Sequence, residues 1–506
     1  MKGQVMRRFS SFIDGQWVEP VAPVGILPVD DPSTGELIGE IAECGPGDVE
    51  AAVAAARRAF EGPWGRLSVR DRARALTDLA SALESRFDEL VPEMIADTGA
   101  TARFCPMLQV GAPMAHLRDF ADMAHLLERP EAFPVDTLPG FGQWELHREP
   151  VGVVGAFTPY NFPLFMCVWK VAPALLAGNT VVLKPSPLTP VGPEALARAV
   201  LEAGIPPGVI NIVHGDRVAG EALVAHPGVD LISFTGSTAV GTRVMAAAAA
   251  GAKEVILELG GKSPALVLPD ADVELAVRGT IFSSMMHAGQ ACVATTRMLV
   301  PDERYDEIVE LVAQRAAALR LGPAADFGTD VGPVISDAAR VRVEKLIAAA
   351  TERGARVLVG GDGLGDVPAG GHYVAPTVLV DLDNDNPAAR EEIFAPVLSV
   401  IRYRGVEEGI RIANDTPYGL AAAVWGRDLR RAREVALRIR GGLTWINDVA
   451  QADVARTPLS GRGMSGVGAE NGRDGLLAYT KVRSLYTALD ADLDARAYGV
   501  VGSDWD

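Results

Sequence analysis

Val151-Gly-Val-Val-Gly-Ala-Phe-Thr-Pro-Tyr-Asn-Phe-Pro-Leu-Phe-Met-Cys-Val-Trp169 runs for nineteen residues without a charge. That is close to the roughly 20 apolar residues a membrane span needs. Pro159 and Pro163 stand inside it, with Asn161 between them, and an interior proline costs a helix about 3 kcal/mol. The stretch therefore reads as a buried strand (Val151–Phe157), a turn (Thr158–Pro163) and then a helix, and no membrane span is expected. An apolar strand feeding directly into a helix is the unit of a parallel sheet covered on both faces.

The same alternation continues outward. Strands are expected at Val151–Phe157, Thr180–Lys184, Val209–Val213, Leu231–Thr235, Glu254–Glu258 and Ala265–Leu268, and helices near 164–177, 190–203, 216–225, 238–250 and 272–288. A second set follows, with helices at 302–319, 336–353, 405–413 and 428–439 and strands at Arg356–Val359, Thr377–Val380, Leu420–Trp425 and Thr444–Asn447. Two α/β domains meeting at Gly260-Gly261 account for this order. Upstream, residues 10–40 alternate short strands with turns, Pro46–Phe60 and Ser68–Ala96 carry helical apolar stripes, and 100–127 reads as one more helix. Phe141–Glu149 alternates like a hairpin arm, and Leu489–Asp506 is acidic.

The net charge of −18 disfavours nucleic-acid partners, which need a basic surface. Cys44, Cys105, Cys167 and Cys292 show neither C-x-x-C spacing nor a Cys/His cluster. No metal and no disulfide framework is expected, and a cytoplasmic location fits. The N-terminus carries no signal-peptide pattern.

Several strand ends carry chemistry. Ligands bind beyond the carboxyl ends of strands in such sheets. Leu231–Thr235 ends at Gly236-Ser237, ahead of a helix whose N–H groups could meet a phosphate; a plain Ser/Thr cap is the structural alternative. Lys184 ends another apolar strand and could reach a ribose or phosphate, or be a rim lysine. Glu258 closes a third and meets two glycines, where partly apolar surroundings would raise its pKa toward that of a general base; a strand-end glutamate hydrogen-bonded to the glycine backbone is the structural alternative. Asn161, on its proline-flanked turn, could donate to an oxyanion or close an Asx turn. Cys292 sits in Gly289-Gln-Ala-Cys-Val-Ala294, open to a substrate carbon. No carboxylate lies within the ten residues before it and Arg297 follows, a setting that suits a thiolate; a buried core cysteine, as most free cysteines are, is the structural alternative. Glu392 and Phe394 could hold a ribose and a flat ring. Asn414–Leu420 reads as turn chemistry.

Together these motifs resemble the aldehyde dehydrogenase superfamily, of the NAD(P)-dependent hydrolytic type, from about residue 10 to 485. The likeness rests on TPYNFPL at 158–164, LKPS at 183–186, FTGSTAVG at 234–241, LELGGKSP at 257–264, GQAC at 289–292, EEIFAPV at 391–397 and NDTPYGLAA at 414–422. The resemblance implies two Rossmann-like α/β domains and a small β oligomerisation arm. The NAD(P)-binding domain would span 1–125 and 150–258, with a return segment near 461–484, the catalytic domain 259–460, and the arm 126–149 and 485–506. Homodimers or homotetramers are implied.

By the same resemblance, Cys292 is the nucleophile, Glu258 the general base, Asn161 an oxyanion donor with the Cys292 N–H, and Glu470 a proton-relay or water-positioning group. Lys184 would hold the adenosine ribose, Gly236 and Ser237 would face the pyrophosphate, and Glu392 and Phe394 would hold the nicotinamide ribose and ring. Phe157, Thr158, Pro159, Ser186, Gly215, Phe234, Thr235, Val240, Leu259 and Gly260 would complete the cofactor site. Phe162, Met166, Trp169, Ala291 and Val293 would line the substrate tunnel. Many NAD-using members carry glutamate, whose charge repels the 2′-phosphate of NADP, where this chain has Pro187; that repulsion is missing here, so the choice between NAD and NADP is open, with NAD the expectation. Ala395 replaces a family glycine, and Leu459-Ser-Gly461 replaces Phe-Gly-Gly beside the tunnel.

The implied reaction takes an aldehyde to a carboxylic acid through a thiohemiacetal and a thioester on Cys292, with hydride passing to NAD(P) and Glu258 activating water. A CoA-acylating semialdehyde dehydrogenase would typically lack Glu258. A non-catalytic protein of the same fold would not need Cys292, Glu258 and Asn161 intact. The apolar tunnel residues favour an uncharged aliphatic or aromatic aldehyde, although Asp453 and Arg456 fall in the region 449–458 that shapes its mouth.

Overall fold

Strand Val153–Thr158 is buried along its whole length, and the helix Pro163–Ala177 behind it buries every residue. Pro163 takes a first-turn position of that helix, where its missing N–H is no loss. The helix ends on Gly178 in the left-handed conformation. The computed structural model describes residues 6–137, 141–361, 363–449 and 455–490.

Two sheets form the body. The first has eight strands in the order Gly466–Val467, Glu254–Glu258, Leu231–Thr235, Val153–Thr158, Thr180–Pro185, Ile210–Ile212, Ser11–Ile13, Gln16–Val18. The five strands from Glu254–Glu258 to Ile210–Ile212 are parallel, and the flanking ones run antiparallel. From Val153–Thr158 the chain first builds toward Ile210–Ile212, then returns to the other side at Leu231–Thr235. The order therefore reverses between these two strands, which opens a crevice beyond their carboxyl ends.

The second sheet has seven strands in the order Arg356–Val359, Thr377–Val380, Val397–Tyr403, Arg297–Pro301, Pro264–Val267, Ala421–Trp425, Leu443–Ile446. All are parallel except Arg356–Val359. A three-stranded antiparallel sheet of Thr480–Ala488, Gly142–Pro150 and Glu131–Ala132 forms an arm. The α/β class with two parallel sheets and an arm is thus as expected.

Some expectations are corrected. Arg297–Pro301 and Val397–Tyr403, both inside the second sheet, were not anticipated as strands. Arg297–Pro301 is buried throughout, and Val397–Tyr403 is buried except at Arg402, so neither shows the polar alternation that marks a half-exposed strand. The stripe over 68–96 is two helices, Val69–Glu84 and Phe87–Thr98. The single helix expected over 100–127 is a π-helical turn at Cys105–Gly111, then Ala112–Asp122 and a 3-10 turn. Pro106 and Pro113 remove amide donors there, and Ala112 N–H reaches back five residues to Met107 O. Among the described residues no helix is long and apolar enough to cross a membrane.

Candidate active site

A cavity of about 400 Å³ lies between the two sheets. The first sheet contributes carboxyl-end segments: Pro159–Phe162 after Val153–Thr158, Gly236-Ser237 after Leu231–Thr235, and Leu259-Gly260 after Glu254–Glu258. The second contributes amino-end segments: Ala291–Val293 ahead of Arg297–Pro301, Glu392 and Phe394 ahead of Val397–Tyr403, and Leu443 at the start of its strand. The nucleophile candidate therefore does not follow the carboxyl-end rule that located the cofactor candidates.

All five expected tunnel residues line this cavity, as do Asn161, Cys292, Pro159, Thr235, Gly236, Ser237, Leu259, Gly260, Glu392 and Phe394. Lys184, Ser186, Phe157, Thr158, Gly215, Phe234 and Val240 are not among its lining residues, and Glu258 and Glu470 lie buried behind it. Leu108, Phe165, Met286, Trp445 and Thr457 line it without having been anticipated. For Phe165 the signal was available: it sits between Phe162, Met166 and Trp169 on one helix. Leu459 lines the cavity too. Arg456 bonds Asp119 at 3.3 Å and is not a lining residue. Asp453 and the arm beyond residue 490 lie outside the described residues.

Cys292 is half-buried. Burial pushes its thiol well up, the carboxylates of Glu258 and Glu392 push it further, and the backbone amides of Val293 and Cys292 oppose them. This corrects the local reading. Both carboxylates come from distant segments, and Arg297 gives no charge to the sulfur. Its guanidinium is buried and donates to Lys262 O, Asn384 Oδ1, Ile412 O and Ala413 O at 2.8–3.0 Å. Glu258 is 2% exposed, and its Oε1 has no partner among the described residues. Burial raises its pKa well above the usual carboxylate range, Glu470 adds to the rise, and Lys170 opposes it. Glu470 pairs with Lys170 at 2.5 Å in the interior, and Lys170 also reaches Ser233 Oγ at 3.1 Å. A carboxyl and a thiol, both held well above their usual pKa, thus act on one another's charge, and the buried Glu470–Lys170 pair acts on the carboxyl.

Asn161 Nδ2 donates one hydrogen to Gln290 O at 2.8 Å, which leaves the second N–H for another acceptor. Glu392 is held against the glycine pair: its Oε1 accepts from Gly261 N at 3.0 Å, and a Cβ on Gly260 would come within 2.3 Å of its Oε2. Phe394 meets Tyr160 edge to face at 6.0 Å. Lys184 Nζ donates to Gly215 O at 2.7 Å and to Pro185 O at 2.8 Å. Burial lowers its pKa to about 8, against the raising effect of Asp216 and Glu43. Ser237 caps the helix Thr238–Ala249 and aims its first turn at the crevice. Asn414 is structural, bonding Arg438 O and the Arg440 N–H.

The chain matches the aldehyde dehydrogenase family model over residues 17–485. It is 42% identical over 479 residues to a geranial dehydrogenase of Castellaniella defragrans, covering 94% of this chain and 98% of that one. It is 37% identical over 490 residues to a 2-hydroxymuconic semialdehyde dehydrogenase of Pseudomonas putida, covering 96% and 100%. The NAD+ complex of an aldehyde dehydrogenase from Bacillus cereus superposes with a TM-score of 0.91 at 35% identity, covering 96% and 97%. A mutant aldehyde dehydrogenase C from Pseudomonas syringae, in complex with NAD+ and octanal, gives a TM-score of 0.90 at 38% identity, covering 96% and 98%.

Proposed function

The chain belongs to the aldehyde dehydrogenase family, and on that premise we propose the roles through which its residues oxidise an aldehyde to a carboxylic acid. The observation that carries the assignment is the Cys292 thiol and the half-free Asn161 amide lining one cavity, with the raised Glu258 carboxyl close enough to act on the thiol's charge.

Glu258 takes the thiol proton, and Cys292 Sγ forms a bond to the aldehyde carbon. Asn161 Nδ2–H and the Cys292 N–H meet the charge that develops on oxygen. When bound, the nicotinamide supplies the acceptor for the hydride leaving that carbon. Cys292 is then acylated. Glu470, backed by Lys170, receives the proton held on Glu258, which frees Glu258 to take another from water. The water attacks the thioester carbon, the C–S bond breaks, and the carboxylic acid departs. Hydrolysis needs such a base, so Glu258 favours this route over transfer to CoA.

The cofactor fits the crevice where the strand order reverses. The first turn of Thr238–Ala249, with Gly236 and Ser237, would face the pyrophosphate, Lys184 and Ser186 the adenosine ribose, and Glu392 and Phe394 the nicotinamide end. NAD is the preferred form. Pro187 offers no repulsion to a 2′-phosphate, but Glu43 and Asp216 set two carboxylates beside Lys184, with Glu43 Oε1 accepting from Asp216 N at 3.0 Å. On this reading the cofactor domain is 6–125 and 150–258 with a return near 461–479, the catalytic domain 259–460, and the assembly arm of a homodimer or homotetramer 126–149 with Thr480–Ala488, the strand paired to Gly142–Pro150 and so moved out of the return segment; the stretch 491–506 expected in the arm lies outside the described residues. Exposed Phe141, Trp144, Val482 and Leu485 on or beside the arm support that role. Four free cysteines accord with the cytoplasm.

The substrate is an uncharged, extended apolar aldehyde. Leu108, Phe162, Phe165, Met166, Trp169, Met286, Trp445 and Leu459 supply apolar tunnel walls, and the charged lining residues Arg342 and Glu392 lie together, Arg342 donating to Glu392 O at 2.6 Å, on the side assigned to the nicotinamide. The likeness to a geranial dehydrogenase and to an octanal complex points the same way. A panel of geranial, octanal, benzaldehyde, betaine aldehyde and 2-hydroxymuconic semialdehyde, each with NAD and NADP, tests this through NADH or NADPH absorbance. Geranial and octanal with NAD should give the highest kcat/KM; preference for a charged aldehyde would refute the substrate reading. Cys292→Ala should abolish oxidation while NAD still binds, and retained turnover would refute the nucleophile.

A further inference from the structure

Behind Asn161, two buried side chains share one acceptor. Gln109 Nε2 donates to Asn161 O at 2.8 Å, and His287 Nε2 faces the same oxygen at 2.7 Å. Gln109 is 0% exposed and His287 4%. They arrive from unrelated places, Gln109 on the π-helical turn Cys105–Gly111 and His287 on the bend before Cys292.

The contacts close a ring. Asn161 Nδ2 donates forward to Gln290 O at 2.8 Å, and Gln290 returns to His287 O through its backbone N at 3.1 Å and its Nε2 at 3.2 Å. Ile335 N fixes Gln290 Oε1 at 3.0 Å. The oxyanion donor from the first sheet and the nucleophile's segment from the second are thus tied by hydrogen bonds within three residues of Cys292.

The chemistry of His287 makes this tie constant. Nε2 lies 2.7 Å from the Asn161 carbonyl and 3.4 Å from Gln109 Nε2; the shorter contact is to an oxygen that can only accept, which assigns the imidazole proton to Nε2 and leaves Nδ1 bare, with no partner among the described residues. The ring stacks on Phe104 at 5.5 Å with planes 10° apart. Burial pushes its pKa down to about 4, so it stays neutral, and remains a single donor, at any neutral pH. His287 and Ala288 both hold left-handed backbone, φ 49° and 53°, a conformation that persists only where surrounding contacts impose it.

We infer that Gln109 and His287 are positioning residues that hold the Asn161 carbonyl, and through it the Asn161 amide, in line with Cys292, setting the rate of the first chemical step and not cofactor affinity. The inference rests on the reading of Asn161 as oxyanion donor. The ordinary alternative is that the two polar groups merely satisfy each other in a core.

The test is single-turnover NADH formation with enzyme in excess over octanal, alongside NAD affinity and the rate of Cys292 alkylation by iodoacetamide. Gln109→Met and His287→Phe each keep bulk and lose the donor, and each should slow NADH formation about tenfold, the order expected for one lost hydrogen bond. NAD affinity and alkylation should stay within about twofold. His287→Gln, which restores an N–H donor, should recover most of the rate. Both donor-less variants at wild-type rate, or a rate falling in step with NAD affinity and alkylation, would overturn the inference. Asn161→Ala separates it from its premise. If that variant is also unimpaired, the oxyanion assignment itself has failed; if it is slow while the two others are fast, only the positioning role falls.

Discussion

Gly289→Ala tests how Cys292, the proposed nucleophile, is presented. Gly289 holds φ +71°, and a Cβ there would lie 2.2 Å from Ala395 O, 2.3 Å from Ala395 C and 2.7 Å from Pro396 N. A left-handed alanine costs roughly 1–2 kcal/mol. The overlap is with backbone, which cannot rotate away as a side-chain tip can, and forced overpacking adds about 1–3 kcal/mol. The sum is about 2–5 kcal/mol. At about 2 °C per kcal/mol, the lower end for long chains, this lowers Tm by roughly 4–10 °C. The Glu391–Val397 segment carries Glu392 and Phe394, and Cys292 is three residues from the substitution, so relief of the overlap moves two parts of the site at once. A displacement of about 1 Å can cost about a hundredfold in rate. Thermal unfolding by circular dichroism and steady-state NADH production with octanal measure both effects. A variant with Tm within about 1 °C and kcat within about twofold of wild type would refute the account of this contact.

Gly260→Ala should behave differently: its Cβ would meet Glu392 Oε2 at 2.3 Å, the end of a side chain that can swing off Gly261. The expected result is a several-fold rise in KM for NAD with Tm nearly unchanged, and a large Tm loss with normal KM would contradict it. Glu258→Gln should slow thioester hydrolysis at least tenfold, read as accumulation of acyl-enzyme after the first turnover; unchanged turnover with no accumulation would remove Glu258 from the mechanism. The same variant has a stability signature. The carboxyl's folded pKa lies above its ordinary 4.5, so the folded chain holds that proton more tightly than the unfolded chain. Its contribution is therefore full below the unfolded pKa and lost as pH rises through the folded one. Glutamine does not ionise, so the Tm of Glu258→Gln relative to wild type should increase from acid toward neutral pH, and a flat difference would argue against the buried carboxyl. Lys184, lowered to about 8, should lose its charge in mildly alkaline buffer. NAD affinity should weaken above about pH 8 in wild type and be flat there in Lys184→Gln; identical profiles would separate Lys184 from the cofactor.

Much of this protein could be read along the chain, because the signals concerned are local. Pro159 and Pro163 turn an apolar run into strand, turn and helix whatever surrounds them. Ser237 after Gly236 marks a helix start, and the spacing of Phe162, Met166 and Trp169 marks one helix face. At Asn161, Glu258, Cys292 and Glu392 residue type and immediate neighbours mark candidate groups and leave structural alternatives open; the roles expected of them come from the resemblance carried by the motifs as a set. What escaped were elements with no local contrast. Arg297–Pro301, buried throughout, has no polar alternation, and the π-helical turn at Cys105–Gly111 keeps a helix-like composition.

The electrostatic state of Cys292 escaped for a deeper reason. Along the chain it has no nearby acid and one following arginine; in space it faces Glu258 and Glu392, while Arg297 is spent on four buried acceptors. Covalent neighbours dictate backbone conformation and hydrophobic period, so those could be derived from residue order. Burial and Coulomb interactions depend on distance through space, so the charge on the sulfur, the hold on Asn161 and the walls of the tunnel came into being only when the carboxyl edge of one sheet met the amino edge of the other.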